Sequence, residues 1–216
     1  EQEEALYKVL KETIIASQNI RFEGDGYSDE WKDEAARRGL TNICHVPEAI
    51  MKFNDPQSRS VLIGEKIFNE NELNCRIEVE LEKFTKKVQI ESRVLGDLAI
   101  NHIVPTAVIY QNRLLENLRG LKEIFSTEEY EEMTADRKDL VREIQRRILS
   151  IKKAVHDMTE ARKVANHLGS QVEKAFSYEE KVRPYLEEIR EHIDSLELEI
   201  DDEIWPLPKY RELLFT

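Results

Sequence analysis

Five histidines, two cysteines and one close pair of glycines hold most of the reactive potential of this 216-residue chain, so their spacing comes first. A di-iron bundle requires Glu-x-x-His on two helices, which sets both ligands on one face. His45, His102, His156, His167 and His192 never stand in that motif. Glu188 and His192 lie one helical turn apart and read as a surface pair. Cys44 and Cys75 have no CxxC partner. Cys44 and His45 are adjacent, and chain neighbours seldom face one another as nucleophile and base must. Gly24-Asp25-Gly26 lacks the Lys-Ser/Thr of a phosphate loop, has Asp29 where a third dinucleotide-fold glycine would fall, and follows a helix. Gly24, Asp25, Gly26 and Tyr27 therefore read as a structural loop, and no catalytic, metal-binding or cofactor-binding residue is assigned.

The remaining candidate is a polar group around Pro105. A proline inside a helix removes one backbone donor and crowds the carbonyl four residues earlier, here that of Asn101, so a kink is expected. Asn101, His102 and Thr106 are placed to satisfy the groups that the kink frees. The expectation is a buried structural hydrogen-bond site, with a functional site or subunit contact as the alternative.

These residues must be positioned by helices. Seven Gly and six Pro are few, and 35% of residues are charged, which suits long exposed helices better than a sheet with many turns. Leu6, Val9, Leu10 and Ile14 recur at helical spacing over about Gln2 to Ile20. Ser28 reads as the cap of a second helix that carries Trp31 and Ala35 inward and stops at Gly39. Short helices open at Pro47 and Pro56, the favoured first position. From Glu72, Ile77, Leu81, Phe84 and Val88 begin a stripe that resumes at Leu95 and Leu98 and returns beyond Pro105 as Leu114, Leu118 and Leu121. Taken as one helix to Ser126 it spans about 80 Å at 1.5 Å per residue. A second long helix starts at Thr127 as cap, with Leu140, Ile144, Ile148, Ile151, Val155 and Met158. A third carries Val182, Leu186, Ile189, Ile193, Leu196 and Ile200, with Pro184 kinking it or marking its first turn. The expected fold is all-α: short N-terminal helices (1–70), an antiparallel bundle of three long helices with one kinked at Pro105 (71–204), and a docked apolar tail (205–216).

The totals exclude several classes. A net charge of −12, with basic residues interspersed among acids, argues against a nucleic-acid binder. No apolar run approaches a membrane span, and two cysteines suit a reducing cytoplasm better than a disulfide framework. The chain begins at Glu1 inside a helical pattern, as a fragment of a larger protein would.

Three stretches together resemble one family. Ala16–Asn42 (ASQNIRFEGDGYSDEWKDEAARRGLTN), Lys86–Asn112 (KKVQIESRVLGDLAINHIVPTAVIYQN) and Asp201–Phe215 (DDEIWPLPKYRELLF) are similar to the C-terminal part of type III glutamine synthetases. The resemblance implies a parent enzyme that joins glutamate and ammonia with ATP through a γ-glutamyl phosphate, using divalent metal such as Mg. It implies partners too: the rest of the synthetase chain, and a cytoplasmic homo-oligomer of two stacked hexameric rings. The family's metal, nucleotide and substrate motifs have no copy here. The chain alone is therefore expected to be inactive and to serve packing, oligomer assembly or regulation. The first helix and the Gly24–Trp31 loop would border the catalytic domain. A free-standing helical-bundle adaptor for partner helices is the rival reading.

Overall fold

The structure, a computed structural model, describes residues 2–214; Glu1, Phe215 and Thr216 lie outside the described residues. Every regular element among them is helical. The chain divides into two compact units, residues 1–44 and 45–216.

The first unit holds α1 (Gln2–Ala16), a 3-10 turn at Gln18–Ile20 and α2 (Asp29–Arg37). Ser28 accepts the Trp31 N–H and caps α2, and Gly39 at φ 70° takes the left-handed step past its end. Ala35 is buried, but Leu6, Val9, Leu10 and Ile14 are each more than half exposed. The stripe read along α1 forms, and nothing in the described chain covers it.

The second unit begins with α3 (Val46–Met51), which carries Pro47 in its first turn, and α4 (Pro56–Gly64). The sequence grouped this segment with the N-terminal helices. Instead Ile50, Met51, Leu62 and Ile63 pack against Leu73, Ile77 and Leu81 of the first long helix, forming a satellite core. That helix starts at α5 (Glu70–Leu98), where Asn69 and Glu72 form a reciprocal capping box. A π turn over Ala99–Ile103 joins it without a break to α6 (Val104–Ile124). The distortion expected at Pro105 thus takes the form of a widened turn: the Val104 N–H reaches back five residues to the Ala99 carbonyl.

α7 (Thr127–Asn166) runs back along this helix. Its cap is Ser126 and not Thr127, because Ser126 is the residue with extended backbone, and it exchanges hydrogen bonds with Glu129. After the Ser170 cap, α8 (Gln171–Ser177), a second π turn (Tyr178–Val182) and α9 (Arg183–Glu199) make the third long helix. Pro184 therefore follows a π turn just as Pro105 does, with the Arg183 N–H bonded to the Tyr178 carbonyl. The up-down-up bundle closes on one core. Ala99, Ile103 and Ala107 meet Ile144, Ile148, Ile151, Ala154 and Met158, and these meet Tyr178, Val182, Ile189, Ile193 and Leu196.

The tail docks through its first part. Trp205 is buried and Ile204 and Leu207 pack on the main core, while Leu213 and Leu214 are exposed. Lys209 Nζ donates to the carbonyls of Glu197 (2.6 Å) and Ile200 (3.1 Å) and pairs with Asp202, closing the C-terminus of α9.

Substitutions at two places, the α7 cap and Gly96, test this packing by urea unfolding. Ser126→Ala removes the cap of α7 and costs about 1 kcal/mol, whereas Thr127→Ala is close to neutral. At Gly96 an added Cβ would sit 3.5 Å from Met158 Cε and Val155 Cγ1, ordinary contact. Gly96→Ala therefore stabilises by about 1 kcal/mol through helix propensity, and Gly96→Phe, which overfills that gap, destabilises by about 1–3 kcal/mol.

Candidate functional site

The Gly24–Tyr27 loop is built around Asp25. Its Oδ1 accepts the Tyr27 N–H at 2.9 Å and its carbonyl accepts both the Ser28 N–H and the Ser28 hydroxyl. The Phe22 ring lies over Gly24, where a Cβ would come within 2.6 Å of it, and stacks at 4.8 Å on Trp31. Tyr27 projects into solvent at 96% exposure. The hydrogen bonds of Asp25 thus close the turn itself, and the Tyr27 side chain faces outward.

Around Pro105 the polar residues separate. The Thr106 hydroxyl donates to the His102 carbonyl at 2.9 Å, one turn back. Asn101 donates to Asp97 Oδ1 at 2.6 Å, and both Asn101 and His102 are exposed, on the solvent side of the helix where the sequence reading had them buried. The π turn rotates them outward while Ala99 and Ile103 take the core positions.

The polar interior lies at the other π turn, which the sequence did not single out. Tyr178 is fully buried and its hydroxyl donates to Asn166 Oδ1 at 2.8 Å. Gln89 Nε2 reaches both Asn166 Oδ1 and the Tyr178 oxygen at 3.2 Å. Burial pushes the Tyr178 phenol above its ordinary pKa, which keeps it a neutral donor. One residue on, the buried Glu179 carboxylate meets His45 Nδ1 at 2.7 Å and Arg183 Nη1 at 2.7 and 3.1 Å. That triad fastens the start of α3 to the third long helix across 134 positions of sequence.

A second cluster sits between α7 and α9. Arg147 approaches Glu143 at 2.8 Å and His192 Nδ1 at 3.5 Å, with Glu199 beside it. Burial raises the pKa of Glu199 and the neighbouring Glu143 adds to the rise, against the pull of Arg147. Among the described residues no three His, Cys, Asp or Glu side chains gather to hold a metal ion. Both cysteines are free and exposed. A groove of about 730 Å³ runs along α5 past Phe68, Cys75 and Arg76, whose guanidinium lies 5.0 Å over the Phe68 ring. The His45–Glu179–Arg183 and Arg147 clusters brace helices against one another.

Two measurements check them. Arg183→Met leaves the Glu179 carboxylate, only 6% exposed, with His45 as its remaining partner and costs about 2 kcal/mol in chemical denaturation, more than Glu179→Gln, which removes the charge itself. For Glu199, a raised pKa means a stabilising contribution that is present below its ordinary titration range and lost as pH rises through the elevated value. Glu199→Gln therefore raises stability at neutral pH, by less than about 1 kcal/mol given solvent screening, and that gain disappears in acid.

The family described as Glutamine synthetase C-terminal domain matches residues 5–122. A glutamine synthetase of Bacteroides fragilis (strain YCH46) is 75% identical over 215 residues, covering 100% of this chain and 30% of that protein. A type-3 glutamine synthetase of Dictyostelium discoideum is 27% identical over 98% of this chain and 29% of its own length. A glutamine synthetase of Butyrivibrio fibrisolvens is 28% identical over 100% of this chain and 30% of its length. The chain thus spans about 30% of the length of the curated relatives it matches. No described helix is long and apolar enough to cross a membrane. With its first two helices and most of its longest helix inside the matched region, this chain belongs to the glutamine synthetase C-terminal domain family.

Proposed function

We propose that this chain is the C-terminal helical region of a type III glutamine synthetase and acts in packing, oligomer assembly or regulation of the parent enzyme. The observation that carries this reading is the 75% identity to a glutamine synthetase along the whole chain, over only 30% of that relative. The parent reaction would join glutamate and ammonia at the expense of ATP. A divalent metal such as Mg would neutralise phosphate and carboxylate charge there, held by residues outside this chain. The setting would be the cytoplasm.

Exposed apolar side chains support an assembly role. On α1, Leu6, Val9, Leu10 and Ile14 offer a face suited to the rest of the synthetase chain, beside the Gly24–Tyr27 loop. On the long helix, Ile90, Val94, Val108, Ile109 and Leu115 are each more than a third exposed and offer a surface for subunit contact in a homo-oligomer, here taken as two stacked hexameric rings. Asn101, His102 and Pro105 lie exposed within that stretch and their proposed role is contact, while the buried Thr106 serves the turn itself.

Deleting Thr127–Thr216 from the full-length enzyme removes two bundle helices and is expected to break the oligomer, read by analytical ultracentrifugation, with loss of γ-glutamyl transfer. The isolated 216-residue chain is expected to show no ATP-dependent transfer; turnover by it would sink the reading.

A further inference from the structure

α5 and α7 run antiparallel, and three contacts set their register. Gln89 meets Asn166 at 3.2 Å, while Gly96 faces Val155 and Met158, where an added Cβ would touch both at 3.5 Å. Between these rungs, one turn beyond Gln89 and one turn before Asn166, stand Arg93 and Arg162. Two cations therefore occupy one rung of the bundle.

Neither guanidinium has an ion pair or hydrogen bond among the described residues. The chain carries 44 acids against 32 Lys and Arg, and arginines such as Arg37, Arg142, Arg146, Arg147 and Arg190 each hold a carboxylate, which these two do not. Of the positions three or four residues from either arginine on its own helix, Asp97 is the single acid, and its Oδ1 takes the Asn101 amide. Glu160, close by along α7, is held by Lys163 at 2.7 Å. Arg93 is exposed and Arg162 partly buried, and burial, with the Arg93 charge adding to it, depresses the Arg162 pKa. Beside them the Gln89 amide is fixed by Asn166 and by the buried Tyr178 hydroxyl, which Asn166 itself holds in place.

We propose that Arg93 and Arg162 form a binding site between α5 and α7 for a small oxyanion bearing a phosphate or carboxylate group. Two planar forks from opposite helices suit an anion with several oxygens, which each guanidinium can engage through paired N–H donors. The bound anion supplies the negative charge that the rung lacks and ties α5 to α7. Because Tyr178 stands at the π turn of the third long helix, occupancy also bears on that turn.

The test is hydrogen–deuterium exchange of the intact protein at constant ionic strength, with inorganic phosphate or succinate replacing chloride. Slower exchange is expected over residues 86–97 and 158–167, since the site joins those two segments. Arg93→Met and Arg162→Met are each expected to weaken the protecting anion roughly tenfold or more, the loss of one charge-assisted contact. Arg93→Lys, which keeps the charge without the fork and preserves the helix, is expected to weaken it less. Arg142→Met, elsewhere on α7, is expected to leave the protection unchanged. No protection by either anion, or the same protection in both Met variants, overturns the proposal. Protection by phosphate alone or by succinate alone upholds it and identifies which oxyanion the rung prefers.

Discussion

Two of the three bundle helices carry a proline near their middle, and the bundle depends on how that is absorbed. A proline in an ideal α-helix loses the bond to the carbonyl four residues back and drives its ring against it. Here each proline follows a π turn, at Ala99–Ile103 before Pro105 and at Tyr178–Val182 before Pro184. The widened turn releases the crowded carbonyl, and the helix continues. In the first long helix it also corrects a phase error. The buried positions Leu73, Ile77, Leu81, Thr85, Val88, Ser92, Gly96, Ala99, Ile103 and Ala107 step by four more often than by three. A helix of 3.6 residues per turn would drift off such a stripe, and a turn that takes up an extra residue brings it back. α7, with Ile144, Ile148, Ile151 and Met158, keeps a spacing nearer to the heptad and needs no such correction.

The same widened turns decide where polarity is buried. At Pro105 the π turn puts Ala99 and Ile103 inside and turns Asn101 and His102 out. At Pro184 it puts Tyr178 and Glu179 inside, and each finds partners on other helices. Buried polar groups cost free energy unless they are hydrogen-bonded. The Tyr178 and Glu179 contacts therefore define how the third long helix is seated against α5, α7 and the start of α3. Small residues at Ser92, Gly96, Ala99 and Ala154 allow the close approach, with packing in place of polar contact.

Features set by nearest neighbours were legible in the sequence. Ser28 as a cap, Gly39 as a stop and Pro47 as a helix opener each follow from one residue's stereochemistry. The three bundle stripes were legible because their periodicity persists over many turns. Legibility failed by one position at Ser126, since Ser and Thr are equally good caps and only backbone geometry separates them. It failed at His45–Glu179 and at Arg93–Arg162, whose partners lie far apart along the chain. No local pattern states which residues share a rung once two helices are set antiparallel. It failed for His102 because a helical wheel drawn at constant pitch cannot include a π turn. The exposed face of α1 was visible as a stripe, but a stripe carries no record of whether its cover belongs to the same described chain.

Lys209 closes α9 from nine residues beyond its C-cap Ile200, donating to the Glu197 and Ile200 carbonyls while Trp205 is held in the core. The order of synthesis gives this a temporal meaning. As the chain emerges from a ribosome, α9 can coil as soon as Glu199 is made, yet its end stays open until Lys209 follows. The third helix is thus finished by residues that come after it, and a nascent chain stopped between Ile200 and Lys209 would hold a bundle whose last carbonyls still face water. Completion of the fold is timed by the tail.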